Sequence, residues 1–507
     1  MKWQVIVPLV VYLVLMLAIG YFAFTRRRTA ASGAKSEQYY LGGRSIGWVV
    51  LVFTLLASAA SAGTFIGGPG LAYKGGYGWV LVSMFQVPTA FLALGMLGKK
   101  FSIVARKLNA MTVPDFLRHR YENPIVVVVA SVGVVLFLMA YMVAQFVGGA
   151  RVLQPVTGVP YTWLVIIFAG VVAIYTCFGG FLADAFSDTA QGIIMLLGGI
   201  ALWIAIFVVI GGMHPVSQTL VHQDPGLLTL PGPGGFTPRM IATYSLQLGL
   251  FFCAVPHLTV RAMSYRDTAA MHKAMYIGPI IMTIFTLGYL CIGPVARVVY
   301  PDLDVGDLAV PKMIIHVLPD WFAGMLLAAP LAAVMSTVDS MILVVSSAIV
   351  RDLYKNYVNP KLSDGRASIA GSAVSFILGV IVLVLALNPP AYLEYLIIFA
   401  IGGLEAVYFV PLLFGLYWKR GNTLGAILGM VGGLGWYAVA TQLAPSIALG
   451  MFPIATSAAV AIVLYVLGSY LGRPPRTAVL VKFWGTQEEI DRWWTDPLLI
   501  GSPGERT

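Results

Sequence analysis

The chain has 507 residues, of which 59 % are hydrophobic and only 10 % are charged. Soluble domains average about 25 % charged residues, so this composition excludes an ordinary soluble enzyme. Apolar stretches of about 20 residues recur along the whole chain, as expected of a single polytopic membrane domain. There are 31 Lys and Arg residues against 21 Asp and Glu, a net charge of +10, and the placement of these residues decides what that charge means.

Thirteen apolar stretches are long enough to cross the ~30 Å of hydrocarbon in a bilayer. We predict membrane helices near residues 3–25, 46–68, 77–97, 124–148, 161–183, 188–211, 239–260, 274–296, 321–350, 367–387, 391–417, 422–443 and 448–472. The predicted fold class is therefore an all-α polytopic membrane protein. The first stretch is too long for the core of a signal peptide and its arginines follow it, so we expect it to remain a membrane helix.

Basic residues fall mainly on one side of these helices. With the N-terminus outside, the cytoplasmic segments hold 25 Lys and Arg residues and the outer segments hold 6. Cytoplasmic loops carry an excess of Lys and Arg, so we predict the N-terminus outside and the C-terminus in the cytoplasm. This topology explains the net positive charge, so we do not expect the protein to bind nucleic acid. One predicted cytoplasmic loop is the short segment 184–187, and the predicted tail, 473–507, is too short for a catalytic domain.

Two predicted helices contain residues that interrupt helical backbone. The second carries small and helix-breaking residues from Ala57 to Gly70, and the seventh carries Pro256. Irregular backbone at membrane depth is tolerated where it lines a cavity or is buried in protein. The breaks lie five crossings apart, as in two inverted repeats, where interrupted helices mark the binding site of a secondary transporter. Alternatively, the small residues only permit close helix packing.

Several short phrases of the sequence carry a resemblance to one protein family. They are Tyr39–Ser45, Phe65–Gly70, Ala72–Lys74, Gly98–Phe101, Gln145–Arg151, Ser187–Gly192, Pro256–His257, Met335–Thr337 and Gly402–Ala406. With them the chain, from about residue 5 to about residue 470, resembles the sodium:solute symporter family. The phrases through helices 2 to 4 are most similar to the subgroup that transports pantothenate.

The resemblance implies a LeuT-type core of ten helices in a 5+5 inverted repeat, with one helix before it and two after it. The expected divisions are 1–45 (N-terminal helix and cytoplasmic loop), 46–211 (first repeat), 239–417 (second repeat), 422–472 (two C-terminal helices) and 473–507 (cytoplasmic tail). It also implies inward symport of Na⁺ and pantothenate by alternating access in a bacterial inner membrane. Na⁺ is the expected coupling ion. The sequence leaves open whether a small membrane partner subunit also binds.

A main sodium site is also implied by the resemblance. In the family, this site takes carbonyl oxygens from the break in the first core helix and hydroxyls from a Ser/Thr pair in helix 9. Carried over to this chain, the ligands are the carbonyls of Ala57, Ala60 and Ala333 and the hydroxyls of Ser336 and Thr337. Such oxygens are the hard ligands available at membrane depth. Alternatively, the two hydroxyls bond back to carbonyls of their own helix.

A second sodium site is implied by the same likeness. Some relatives hold a second Na⁺ with an Asp at the position of Asp188 and with hydroxyls from helix 9, where Ser340 fits the pattern. Asp339 departs from it, because many relatives have a neutral polar residue there. Carboxylates inside membrane helices are costly and usually functional. Asp339 either ligates a cation together with Asp188 or titrates and lets H⁺ replace Na⁺; Asp188 alternatively caps the start of helix 6.

The solute pocket is expected near the bilayer midplane, between the broken helix and its neighbours. Its candidate polar side chains are Ser61, Thr64, Ser83, Gln86, Gln145 and Gln247. Each of them alone has the alternative of being a satisfied packing residue. Free N–H groups at an unwound helix end are a further candidate site for an anionic solute.

Three further residues are candidate gates. His257 follows the break in helix 7 and Arg261 lies one turn later, so together they could form an inner gate or close on a solute carboxylate. Alternatively, Arg261 extends to the lipid headgroups as a topology charge. Glu405 lies inside helix 11 and needs a partner if it is ionised, which indicates a structural or gating role.

Competing functions differ in what the sequence would have to contain. The nearest alternative is a Na⁺-coupled symporter for another solute, such as a monocarboxylate or proline. A transporter-like receptor would need a signalling module, for which the predicted tail leaves no room. An enzyme would need a metal cluster, a nucleophile motif or a phosphate loop, and the sequence has none of these, so we expect no enzymatic activity. An ion channel would normally show short pore-lining repeats around a symmetry axis, and none is visible in the sequence.

Overall fold

The structure is a computed structural model that describes residues 3–27, 41, 44–230, 232–233, 237–390 and 392–485, without the side chains of 19–27, 90, 174–183 and 364. Most of the phrase Tyr39–Ser45 and the end of the predicted tail lie outside these residues. The described α-helices are α1 (Trp3–Arg27), α2 (Trp48–Ala59), α3 (Gly68–Gly75), α4 (Tyr77–Ser83), α5 (Thr89–Leu92), α6 (Lys99–Leu108), α7 (Val113–Tyr121), α8 (Pro124–Thr157), α9 (Tyr161–Ile210), α10 (Met213–Gln223), α11 (Pro238–Gly249), α12 (Pro256–Thr259), α13 (Arg261–Ser264), α14 (Thr268–Leu290), α15 (Ile292–Val299), α16 (Ala309–Val317), α17 (Asp320–Ser347), α18 (Asp364–Ala386), α19 (Leu393–Tyr417), α20 (Thr423–Ala438), α21 (Pro453–Leu471) and α22 (Thr477–Trp484).

Shorter helical turns join or extend these helices. The π-helical segments are Gly63–Gly67, Ala93–Gly98, Ala348–Val358 and Val439–Leu443, and the 3-10 turns are Met84–Gln86, Pro225–Leu228, Phe251–Ala254, Gly306–Leu308 and Pro445–Ala448. The described residues contain no strand, only one isolated bridge between Ile46 and Tyr265. The predicted all-α class is therefore confirmed.

Both predicted helix breaks are present. The segment from α2 to α3 bends by 62° between Ala59 and Gly63, and the segment from α11 to α13 bends by 48° at Pro256. Ala60, at the first break, has φ −84° and ψ 88°, outside the helical region. At the second break Pro256 is the first residue of α12, where its missing N–H costs no helical hydrogen bond. The small residues and the proline therefore do interrupt the backbone, as predicted.

The predicted cytoplasmic loop 184–187 is wrong. The structure has one helical segment, α9, of 50 residues, where the sequence predicts helices at 161–183 and 188–211. The four residues of the predicted loop include neither proline nor glycine, so nothing in them ends a helix. Asp184, the first residue of the predicted loop, is buried and bonded inside the protein.

The predicted third helix, 77–97, is also not continuous. It consists of α4, the 3-10 turn Met84–Gln86, α5 and the π-helical segment Ala93–Gly98. Pro88 lies where the regular helix is interrupted, because proline has no N–H to continue the backbone ladder. Within the described residues, eight helices are long and apolar enough to cross a membrane, or ten if each bent pair counts as one span. The predicted number of thirteen exceeds that count.

Helix α17 is the central helix of the bundle. In the most apolar 18-residue stretch of this helical segment 89 % of the residues are buried, whereas in the most apolar stretch of α18 only 33 % are buried. It packs against α1, α2, α8 and α9. Because α17 adjoins the first broken helix along this buried face, hydroxyl and carboxyl side chains of α17 can meet the irregular backbone around Ala60.

Candidate functional site

The first break exposes backbone N–H groups that side chains then satisfy. The Ala62 N–H donates to Gln145 Oε1 at 2.9 Å, and the Gly63 N–H donates to Ser61 Oγ at 3.0 Å. Close approach of α8 makes the first bond feasible, since a Cβ on Gly148 would lie 2.8 Å from the Ala62 side chain. The break is therefore a stable feature with paired polar groups, as membrane depth requires.

Four predicted sodium ligands meet where α17 crosses α2. The Ser336 hydroxyl donates to the carbonyls of Ala57 (3.0 Å) and Ala333 (3.1 Å). The Thr337 hydroxyl reaches the same two oxygens at 3.3 Å and 2.9 Å. The bonds to Ala333 realise the predicted alternative of bonding within one helix, but those to Ala57 cross to the neighbouring helix. Ala60, the fifth predicted ligand, is fully buried at the break and bonds Leu56 through its N–H.

A buried ionic cluster lies one helical turn further along α17. Arg261 Nη2 donates to Asp184 Oδ2 at 2.8 Å and to Asp188 Oδ2 at 3.1 Å. The same nitrogen donates to the hydroxyl of Ser340, and Nε reaches Thr54 Oγ1 at 3.3 Å. At most 4 % of any of these side chains is exposed. The cluster joins α2, α9, α13 and α17, and we call it the Arg261 cluster.

The geometry of the Arg261 cluster excludes one of the two interpretations that the sequence left open for Arg261, and one of those for Asp188. Arg261 is 1 % exposed, so the interpretation that it extends to lipid headgroups is wrong. Asp188 lies inside α9 rather than at a helix start, so its interpretation as a helix cap is also wrong. Ser340 does lie near Asp188, because Arg261 Nη2 donates a hydrogen bond to each of the two side chains. Asp339 is 2 % exposed and lies one turn after Met335, which accepts a bond from Tyr12 of α1, so Asp339 is on the α1 side of α17.

The predicted pocket residues are all buried, and most of them are hydrogen-bonded. Around the break, the Tyr141 hydroxyl donates to Ser61 Oγ at 3.0 Å. The Thr64 hydroxyl donates to Gln86 Oε1 at 3.0 Å, and Gln86 Nε2 donates to the Ser83 carbonyl at 3.1 Å. For Ser61, Thr64 and Gln86 these contacts match the predicted alternative in which a side chain is satisfied by a neighbour, whereas Ser83 takes part through its backbone carbonyl.

Two amides near the breaks keep one unused polar atom each. Gln145 Nε2 and Gln247 Oε1 have no hydrogen-bond partner among the described residues, although the other end of each amide is bonded. Buried polar atoms of this kind are rare and need an explanation such as a ligand or water. The structure thus leaves one donor and one acceptor free in the region where the pocket is expected.

Of the predicted gates, His257 and Arg261 lie together and Glu405 does not join them. The His257 carbonyl accepts from Arg261 Nη1 at 2.7 Å, and its ring lies edge-on to Tyr141 with 5.9 Å between centroids. Glu405 is 1 % exposed, and neither carboxylate oxygen has a hydrogen-bond partner in the described part of the chain. His257 therefore connects the pocket region to the Arg261 cluster, whereas Glu405 remains a separate buried acid.

Sequence reasoning missed the acidic residues beside the second part of the first broken helix, Gly63–Gly75. Glu394 accepts a bond from the Tyr244 hydroxyl at 3.4 Å, and its Oε2 has no partner among the described residues. That oxygen lies 2.8 Å from where a Cβ on Gly63 would be, and 2.9 Å from one on Gly67. The sequence does show Glu394 as an acid near the start of a predicted helix, but an acid in that position usually only stabilises the helix end, so it does not indicate a binding site. Here the glycines let the carboxylate contact the broken helix.

Asp307 lies beside the same helix, outside the membrane-spanning segments. Its Oδ2 accepts from the Leu393 N–H at 3.4 Å, and its Oδ1 lies 2.8 Å from where a Cβ on Gly70 would be. Burial raises the pKa of Asp307 to about 7, although the Leu393 N–H and Arg151 act in the opposite direction. The folded chain therefore holds this proton at pH values where the unfolded chain has lost it.

The contribution of Asp307 to stability is accordingly expected to fall by roughly 4 kcal/mol as the pH rises from about 4 to 7, and to stay constant above 7. Asp307→Asn removes the titrating group, so its apparent melting temperature in detergent should fall less over this range than that of the wild type. Asp304→Asn, at an exposed acid of the same loop, is the control and should follow the wild type. Parallel curves for all three proteins would contradict the assignment.

The sequence is similar to those of known transporters over nearly its full length. A sequence profile of the sodium:solute symporter family matches residues 39–433. The sodium/pantothenate symporter of Escherichia coli (strain K12) is 40 % identical over 483 residues, which cover 95 % of this chain and 99 % of that protein. The sodium/pantothenate symporter of Haemophilus influenzae (strain ATCC 51907 / DSM 11121 / KW20 / Rd) is 38 % identical over 475 residues, 93 % of this chain and 97 % of that protein.

The fold is also similar to that of a solved transporter. A Na⁺-coupled sialic acid symporter, in a substrate-bound outward-open state, superposes with a TM-score of 0.79 over 94 % of this chain and 99 % of that chain. Sequence identity in this comparison is 20 %, so the likeness concerns the fold alone. It confirms the predicted LeuT-type architecture.

Proposed function

The chain belongs to the sodium:solute symporter family, and from that premise we propose that it is a Na⁺-coupled symporter that imports pantothenate by alternating access. The observation that carries the choice of solute is the 40 % identity, over 95 % of the chain, to a protein named as a sodium/pantothenate symporter. The divisions 46–211 and 239–417 are its two inverted repeats, each of which begins with one of the bent helices.

The main sodium site consists of the oxygens gathered where α17 meets α2. The carbonyls of Ala57 and Ala333 and the hydroxyls of Ser336 and Thr337 lie within 3.3 Å of one another in bonded pairs. A bound Na⁺ takes the oxygen lone pairs, and each hydroxyl keeps one proton for a carbonyl. The carbonyl of Ala60, at the break, completes the set. Because the ligands come from two helices, Na⁺ stabilises one arrangement of α2 against α17.

The solute occupies the space beside the first break. Its polar contacts are provided by Ser61, Thr64, Ser83, Gln86, Gln145 and Gln247, to which we add Glu394. The free Gln145 Nε2 donates to a carboxylate or carbonyl of the solute, whereas Gln247 Oε1 and Glu394 Oε2 accept from hydroxyl or amide N–H groups. Pantothenate carries a carboxylate, an amide and hydroxyls, so it presents both kinds of partner.

The inner gate consists of His257 and the Arg261 cluster, which close the pathway on the cytoplasmic side. Glu405 acts as a second, separate gating residue in α19. The chain is a multi-pass protein of the bacterial inner membrane, with its N-terminus outside and its C-terminus in the cytoplasm. A tenfold Na⁺ concentration difference supplies about 1.4 kcal/mol for each ion, whereas the membrane potential adds about 2.3 kcal/mol at 100 mV only for each net charge that crosses with the solute.

Uptake by purified protein in liposomes tests the proposal. We expect labelled pantothenate to accumulate with an inward Na⁺ gradient, and not with an equal K⁺ gradient or with an inward H⁺ gradient alone. Unlabelled proline and a short monocarboxylate serve as competitors and should leave uptake unchanged. If Na⁺ instead drives uptake of one of these competitors and pantothenate stays outside, the coupling ion is right and the proposed solute is wrong.

A further inference from the structure

The guanidinium of Arg261 takes up the oxygens that a second sodium ion would need. Such an ion would be held by Asp188 and by hydroxyls of α17, and both Asp188 Oδ2 and the Ser340 hydroxyl accept from Arg261 Nη2. Thr54 Oγ1, which donates to Asp188 Oδ2 at 2.6 Å, also lies 3.3 Å from Arg261 Nε. These oxygens therefore already face a positive charge that is part of the chain.

Burial makes this cation a permanent part of the site while the cluster is closed. Arg261 is 1 % exposed, and Asp184 and Asp188 are 4 % and 0 % exposed. A buried guanidinium is stable only while it is paired, because removal of its partners leaves an uncompensated charge in the protein interior. A sodium ion placed among the same oxygens would also repel the guanidinium at close range. One cation therefore excludes the other.

The cluster is directly connected to the main sodium site. Ser340 Oγ donates to the Ser336 carbonyl at 2.9 Å and pairs with Ser58 Oγ at 3.0 Å. Ser336 is a ligand of the main site, and Ser58 directly follows its ligand Ala57. The two cation positions are therefore one helical turn apart on α17, a spacing at which their charges interact inside a protein.

We propose that Arg261 is a tethered cation that fills the second cation site, so that the carrier couples one Na⁺, rather than two, to each solute. The inference rests on the proposed function, because it concerns the ion count of that same transport reaction. Without the guanidinium, Asp188, Ser340 and Thr54 offer three hard oxygen ligands to Na⁺. Asp188 Oδ1, which has no hydrogen-bond partner among the described residues, offers a fourth.

The ion count sets the charge that crosses the membrane in each cycle. Pantothenate carries one negative charge, so its transport with one Na⁺ is electroneutral and its transport with two Na⁺ moves one positive charge inward. We expect wild-type liposomes to show a Na⁺-to-pantothenate flux ratio of one and no response to a potential set with K⁺ and valinomycin. A ratio of two, with uptake that rises at a negative internal potential, would overturn the inference.

Substitutions of Arg261 separate a cationic role from a structural one. Arg261→Gln removes the charge, and we expect a flux ratio of two and a steady accumulation that increases about 50-fold at 100 mV. Arg261→Lys keeps a cation and should keep the ratio of one. Arg266→Gln, at an exposed arginine of the same segment, is the matched control and should behave as the wild type. An active Arg261→Gln protein with a ratio of one would overturn the inference.

Binding measurements decide the matter if Arg261→Gln does not transport. Stabilisation of the purified protein by Na⁺ rises with the logarithm of the ion concentration, with a slope set by the number of ions bound. The variant should show twice the limiting slope of the wild type, and an equal slope would overturn the inference. Absence of Na⁺-driven pantothenate uptake in the wild type would instead reject the proposed function, while Na⁺-driven uptake with a ratio of two rejects the inference alone.

Discussion

Replacing Ser336 and Thr337 together by alanine should nearly abolish accumulation of the solute at the Na⁺ concentrations that saturate the wild type. The double variant loses both hydroxyl ligands of the main site and their bonds to Ala57 in the neighbouring helix. Each bond to a charged group contributes about 1.5–3 kcal/mol, so the apparent affinity for Na⁺ should fall at least ~100-fold. The measurement is the Na⁺ concentration for half-maximal uptake in liposomes.

A matched control is available on the same helix. Ser346 and Ser347 of α17 are also buried and adjacent, but among the described residues their hydroxyls bond only to the carbonyls of Leu343 and Val344 in their own helix. The double alanine variant at these two positions should keep the wild-type Na⁺ dependence. If both double variants retained it, the oxygens around Ala57 would not be sodium ligands, and the proposed site would have to be abandoned.

Adding one methyl group at Gly293 should disable the carrier. A Cβ at this position of α15 would lie 2.3 Å from the Pro69 carbonyl oxygen and 2.7 Å from the Tyr73 nitrogen. Both are backbone atoms of α3, so they cannot rotate away as a side chain would. Overpacking of this kind costs about 1–3 kcal/mol or more, and α15 must separate from α3.

We therefore expect Gly293→Ala to lower the apparent melting temperature and to reduce uptake roughly tenfold or more. Gly435→Ala is the control, because nothing lies within 4 Å of a Cβ at that position of α20. That variant should match the wild type or melt slightly higher, since alanine favours helix more than glycine does. A Gly293→Ala protein with wild-type melting and wild-type uptake would show that α3 and α15 are not held together as the structure has them.

The sequence predicts the elements whose cause is local. The breaks at Ala60 and Pro256 follow from small residues and proline, whose backbone effects do not depend on neighbours. The pairing of Ser336 with Ala57 was implied by resemblance alone, because two residues 279 positions apart give no local signal. The structure brings these two residues into contact, while their role as sodium ligands stays a prediction.

Other features depend on packing that no local pattern reveals. An arginine near a predicted helix end and an aspartate in a predicted loop are normally exposed, yet Arg261 and Asp184 bond each other inside the bundle. One signal could have been used: Asp184 and Asp188 are four residues apart, and so share a face if the segment is helical. Assuming a loop at 184–187 concealed that spacing. Glu394 was missed because glycine contacts, rather than its own helix, determine its position.

The paired polar groups at the first break also bear on the energy barrier of the transport cycle. A helix that had to unwind during each cycle would lose backbone hydrogen bonds in a medium without water, at several kcal/mol for each unsatisfied group. Here the amide of Gln145 and the hydroxyl of Ser61 hold the freed N–H groups of Ala62 and Gly63. A break that is already present and paired need not be formed again in each cycle. The moving halves can then rotate about a preformed hinge, so the activation enthalpy of reorientation need not include helix melting.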